Sequence, residues 1–175
     1  MAAETVRLFF AMQPGLTARE TLHRHAEDIG VGRPTPVANI HLTLCFLGSC
    51  NPAQQQRAGL VGSRLRPRTT AVHTGSMEYW AGARAVVLLA EPLDDALVEF
   101  HAELSQALAD AGFAADRRPF RPHLTLLRKV SPAPTLPVIP SQQMPLRGFG
   151  LFRSRPGPRG SIYEQLHRWL PTDQG

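Results

Sequence analysis

The tetrapeptide His-Leu-Thr-Leu occurs twice in the chain, at His41–Leu44 and again at His123–Leu126, each time in a short apolar run: "HLTLCFLG" and "PHLTLLRK". Runs of this length and composition read as buried strands. Alternate side chains on a strand point to opposite faces, so each copy sets an imidazole and a hydroxyl on one face and leucines on the other. By this alternation His41, Thr43 and Cys45 share a face and Phe46 points away from it. His123, Thr125 and Leu127 likewise share a face, from which strict alternation excludes Arg128 unless a bulge turns it inward. A strand written twice predicts two related halves, with the leucine faces anchored in a core and the His/Thr faces lining a cleft between them.

The surroundings of the two copies agree with duplication. Thr5 to Met12 reads as a first strand, followed by a helix over "TARETLHRHAEDIG" with Thr17 as N-cap, Glu20 as its capping-box partner and Gly30 past the end. After the first motif strand (Ile40 to Leu47) comes a helix with Pro52 in its first turn, then strands over "TAVHTGSMEYW" and "ARAVVLLAE". In the second half, "PLDDALVEFHAELSQALADAG" carries an apolar stripe of Leu93, Leu97, Phe100, Leu104 and Leu108, with Gly112 at its end. The second motif strand, the Pro-rich loop "SPAPTLPVIPSQQMP" and two last strands complete the pattern. Helices are predicted outside, and the motif strands in the middle.

The 175 residues, 43% of them hydrophobic, suit a single domain spanning 1–175 with two lobes. The N-terminal apolar stretch is too short for a signal or a membrane span, which predicts a cytoplasmic protein with no membrane partner. Cys45 and Cys50 fall at the end of one strand and are expected as free thiols. Charge is uneven. Residues 1–100 hold nine Arg against nine acids, whereas residues 101–175 hold nine Arg and Lys129 against five, which accounts for the whole net charge of +5. A basic second half suits a phosphate-bearing or nucleic-acid partner.

Two imidazoles and two hydroxyls facing one another define a chemistry. One imidazole takes a proton from water while the other gives one to a leaving oxygen, because an ordinary pKa of about 6.5 lets both forms exist near neutrality. Threonine hydroxyls donate to non-bridging phosphate oxygens. A metal centre would need three or four converging ligands. No acid or further His flanks either motif, and "HRH" at His23–His25 places its histidines two apart on a helix, where they do not face each other. No metal and no cofactor are expected, and no phosphate-cradling glycine loop is present.

These residues resemble the 2H phosphoesterases and, within them, the RNA 2',3'-cyclic phosphodiesterases, also called 2'-5' RNA ligases or LigT-like proteins. The resemblance runs through "RLFFAM", "NIHLTLCFLG", "RPFRPHLTLLRK" and "LFRSRPGPRGSIYEQLHRWLP", the last with Ser154, Gly160 and Tyr163 in place. It implies a bilobal α+β fold, with two antiparallel sheets related by a pseudo-twofold axis around a central groove and helices outside. It further implies metal-independent hydrolysis of an RNA 2',3'-cyclic phosphate end, or a nucleoside 2',3'-cyclic phosphate, to a 2'-phosphate, with reversible 2'-5' ligation, by a monomer. By position, His41 becomes the general acid and His123 the base, while Thr43, Thr125 and Arg128 bind the phosphate. Arg118, Arg121, Arg153, Arg155, Arg159 and Tyr163 are candidate RNA contacts, and Phe9, Phe46 and Phe120 are further candidates, with Tyr163, for stacking on the terminal base. Two alternatives stand beside this reading: a related enzyme for small cyclic nucleotides or 2'-5' oligonucleotides, and a non-catalytic RNA-end-binding module.

Overall fold

The computed structural model describes residues 5–114, 116 and 118–172, so Ala2–Glu4 of the N-terminal stretch discussed above lie outside the described residues. The strands are β1 (Val6–Met12), β2 (Arg33–Pro34), β3 (Leu42–Cys50), β4 (Thr69–Trp80), β5 (Ala85–Ala90), β6 (His123–Arg128), β7 (Gln142–Arg147), β8 (Phe149–Gly157) and β9 (Gly160–Trp169). The helices are α1 (Leu16–Ile29), α2 (Pro52–Arg64) and α3 (Asp95–Asp110). No helix among the described residues is long and apolar enough to cross a membrane.

All strand pairs are antiparallel, in the order β7-β4-β5-β6-β3-β1-β8-β9, with the short β2 on β6. The order divides into two four-stranded halves, β7-β4-β5-β6 and β3-β1-β8-β9. Only the pair Leu42↔Leu124 joins β3 to β6. Both leucines directly follow the motif histidines, so the join lies on the axis that relates the two copies. A sheet whose halves share one residue pair is free to curl, which gives the two lobes their common cleft.

One face of each half packs under the helices. Leu97, Phe100, Leu104 and Leu108 of α3 are buried in a core with Leu42, Leu44, Leu124, Leu126 and Leu127. Burying a Leu or Phe side chain contributes about 1.5–3 kcal/mol, so this leucine face anchors the motif strands. Leu93, predicted in the stripe, lies before the helix and is exposed, because Asp94 caps α3 by accepting from the Leu97 N–H. Asn51 and Gln54 form a reciprocal capping box at α2. The α1 cap differs from expectation: the helix begins at Leu16, so Thr17 falls inside it and Gly15 occupies the cap without a side-chain bond. The concave faces carry smaller apolar clusters, Phe9, Ala11 and Phe152 with Tyr163 in one lobe and Ala85, Val87 and Leu89 with Trp80 in the other.

Candidate active site

Both motif strands carry a bulge at the same place. In β6, Val87 pairs with Thr125 but Val86 pairs with Leu127, leaving Leu126 as an extra residue. In β3, Ala11 pairs with Thr43 but Phe10 pairs with Cys45, leaving Leu44 extra. An extra residue reverses alternation beyond it. Leu126 and Leu127 are therefore both buried in the core, and Arg128 joins His41 and Thr125 in the lining of one cleft. The bulge that Arg128 requires is present.

The equivalent bulge overturns two expectations in β3. Cys45 does not share a face with Thr43: it turns toward α3, where its Sγ lies 3.5 Å from Ser105 Oγ. Burial raises its thiol pKa, and both cysteines are free. Phe46 does not point away from His41 but stands on its face, its ring 6.0 Å from that of Phe9, which in turn lies 5.0 Å from His41. Phe46 and Arg128 each stand five residues after a motif histidine, so they occupy equivalent places in the two halves.

An antiparallel join at Leu42↔Leu124 sets His41 beside Thr125 and Thr43 beside His123. Two clefts result. The first is lined by His41, Thr125, Arg128 and Tyr163, and the second by Thr43, His123, Phe46 and Phe120. The pseudo-twofold exchanges their histidines and threonines but sets a guanidinium on one side against an aromatic ring on the other.

The histidines are oriented alike. His41 Nδ1 lies 2.6 Å from the Asn39 carbonyl and His123 Nδ1 lies 2.8 Å from the Arg121 carbonyl. A carbonyl only accepts, so each Nδ1 carries the proton and each Nε2 is left for chemistry. His41 Nε2 sits 2.9 Å from Thr43 Oγ1 and accepts from it. Tyr163, nearly perpendicular at 5.2 Å, and Phe9, tilted at 5.0 Å, pack on His41. Trp80 packs on His123 at 4.4 Å, donates to Glu78 and lies under Arg121, whose guanidinium also bonds Glu78. These hydrogen bonds from Trp80 and Arg121 lower the Glu78 pKa. The clamp fixes the residue whose carbonyl orients His123.

Burial lowers the pKa of His41 to about 4, against the opposing Asn39 hydrogen bond and aided by the positive charges of Arg128 and His123. His123 is lowered too, again chiefly by burial, with Arg128 and Arg121 adding to the effect. Both imidazoles are thus neutral at pH 7.

The other arginines singled out by the sequence do not converge on these groups. Arg118 pairs with Asp116 and Arg121 with Glu78, both beside the second cleft. Arg153 and Arg155 pair with Glu164 across β8 and β9 and line neither cleft. Arg159 lines the first cleft, together with Arg33, Arg84 and Lys129, which the sequence did not single out. Their only local signals were the position of Lys129 directly after the second motif strand and that of Arg84 in the turn before "AVVLLA".

A family model described as LigT like phosphoesterase matches residues 87–163. The RNA 2',3'-cyclic phosphodiesterase of Escherichia coli strain K12 is 30% identical over 174 residues, covering 97% of this chain and 99% of that protein. The protein of the same description from Thermus thermophilus is 32% identical over 152 residues, covering 78% and 74%. Among solved structures, E. coli LigT complexed with 3'-AMP superposes with a TM-score of 0.84 at 29% identity, over 97% of this chain and all of that one. TT0787 of T. thermophilus gives 0.81 at 26% identity, again over 97% and 100%.

Proposed function

Since the chain belongs to the LigT-like phosphoesterase family, we propose that it hydrolyses 2',3'-cyclic phosphate ends of RNA to 2'-phosphates, with His41 and His123 as its acid and base. One observation carries this reading: two identically oriented imidazoles, each beside the other strand's threonine, with Arg128 turned toward them by a bulge.

In the proposed reaction the cyclic phosphate lies between the two Nε2 atoms, and Thr43 turns its hydroxyl from His41 Nε2 to the phosphate. His123 takes a proton from water as the water oxygen bonds to phosphorus. His41 gives a proton to O3' as the P–O3' bond breaks, and the 2'-phosphate remains. Thr43, Thr125 and Arg128 donate to the non-bridging oxygens, where charge redistributes in the transition state. Solvent then restores the proton on His41 and removes the one on His123. A 5'-hydroxyl in place of water gives a 2'-5' phosphodiester by the same transfers, and cleavage of that linkage exchanges the two roles.

The pKa directions give a pH prediction that holds whichever histidine is the acid. The competent free enzyme carries one proton on the pair, a form that peaks between the two pKa values, and both lie below 6.5. The kcat/KM profile is a bell on the acid side of pH 6.5 with one limb near pH 4. The kcat profile lies at higher pH, because the bound anion favours the protonated imidazoles. A kcat/KM optimum above neutrality, or a single limb, contradicts the pair.

The direct test is incubation with a short RNA ending in a 2',3'-cyclic phosphate in the presence of EDTA, with the product position identified by NMR. A 2'-phosphate formed despite the chelator supports the reading. A 3'-phosphate places the leaving oxygen elsewhere, and loss of activity with EDTA refutes a reaction run by the side chains alone.

A further inference from the structure

The cleft beside His41 holds more positive charge than one cyclic phosphate uses. Besides Arg128, it is lined by Arg33, Arg84, Lys129 and Arg159, and by no carboxylate among the described residues. The opposite cleft shows the contrast, since its Arg118 and Arg121 are held in ion pairs. The excess charge therefore belongs to one side of the catalytic pair.

The backbone marks two of these cations. Arg84 (φ 49°) and Lys129 (φ 57°) are the non-glycine residues in the left-handed region among those described. That conformation disfavours long side chains and is usually given to Gly, Asn or Asp. Both residues are exposed, and their turns are tied by the Val130 N–H donating to the Arg84 carbonyl at 2.9 Å. Across the cleft, the β8–β9 hairpin presents Arg159, whose carbonyl accepts from Arg33 Nη1. The same cleft is lined by Thr35, which is only 7% exposed and whose Oγ1 has no hydrogen-bond partner.

The geometry points to a second phosphate subsite, formed by Arg84, Lys129 and Arg159, that holds the internucleotide phosphodiester next to the cyclic end of an RNA chain. It rests on the hydrolase reading above and names the residues that hold the chain next to the cyclic end. A nucleoside 2',3'-cyclic phosphate has a single phosphate, which the histidines, threonines and Arg128 already occupy. A chain brings a further anion, and unpaired exposed cations bind it with release of counterions.

The test compares kcat/KM for cytidine 2',3'-cyclic phosphate with that for a trinucleotide ending in the same group. The proteins are the wild type, an Arg84→Gly/Lys129→Gly double variant, and Arg64→Gln as a charge-loss control on α2, a helix that lines neither of these clefts. Glycine removes the charges while suiting the left-handed turns, so the thermal midpoint is expected to stay at or above that of the wild type. The wild type prefers the trinucleotide about tenfold or more at low salt. Its affinity for the trinucleotide 2'-phosphate falls with salt more steeply than that for the mononucleotide, by about 0.7 in log–log slope per extra phosphate held. The double variant loses most of the preference, and the control keeps it. A wild type without preference, a double variant that retains it, or equal losses on both substrates overturns the subsite. If the wild type hydrolyses neither substrate, the hydrolase reading fails, and binding of the two 2'-phosphates decides the subsite separately: a trinucleotide advantage lost in the double variant supports it, and equal binding overturns it.

Discussion

His41→Ala and His123→Ala each lower kcat on an RNA ending in a 2',3'-cyclic phosphate by about 10²- to 10⁴-fold, and the double variant is little worse than either single one. The reason is cooperative: a base with no acid leaves an unprotonated O3' as leaving group, and an acid with no base leaves water as a weak nucleophile. Rapid-quench kinetics at saturating substrate check this, because the loss should fall on the chemical step. A variant that keeps a tenth or more of the wild-type kcat removes that histidine from the acid–base pair.

The His41 variant carries its own folding control. In the folded state His41 takes up a proton only near pH 4, whereas in the unfolded chain it does so near 6.5. The unfolded state therefore binds more protons in this window, and wild-type stability is lost as pH falls from 6.5 to 4. The gap corresponds to about 3 kcal/mol at its acid end. His41→Ala removes this contribution, so its urea midpoint declines less between pH 6.5 and 4 than that of the wild type. Parallel declines in the two proteins would show that His41 is not held neutral by burial.

Arg128→Ala lowers kcat/KM by about 10²- to 10³-fold, the scale for removing a preorganised donor to a charge that develops in the transition state. Arg128→Lys recovers part of the loss, because an ammonium keeps the charge without the two-pronged guanidinium geometry. The variant is expected to fold, since Arg128 is exposed at the end of β6. The loss tests the bulge as well as the residue: without the extra Leu126, alternation sends position 128 to the core face. Unchanged kinetics would mean that the guanidinium, though turned into the cleft, does not reach the phosphate.

The paired His/Thr site was legible because its signal is local and doubled. A His-x-Thr spacing of two puts imidazole and hydroxyl on one face of any strand, whatever that strand pairs with. The leucine faces and the α3 stripe from Leu97 to Leu108 were legible for the same reason, since periodicity alone separates core from surface. Capping was less so: Thr17 and Glu20 have the right spacing, but the chain enters α1 two residues earlier, at Gly15. The basic residues were the least legible. A count of charges cannot say which are neutralised, and Arg118, Arg121, Arg153 and Arg155 all met carboxylates, the last two sharing that of Glu164 on the neighbouring strand.

The sequence by itself determined that two like strands present two histidines and two threonines, because alternation over three residues depends only on the backbone. Tertiary structure decided what stands beside them. The bulges at Leu44 and Leu126 arise from pairing with β1 and β5, and a reversal of alternation created by a partner strand leaves no mark in the strand's own letters. It set Phe46 and Arg128 on the site face and sent Cys45 to α3. Which cations remain open to a phosphate was likewise decided in three dimensions, by the ion pairs that form in the fold and by turns that bring Arg84 and Lys129 to one cleft.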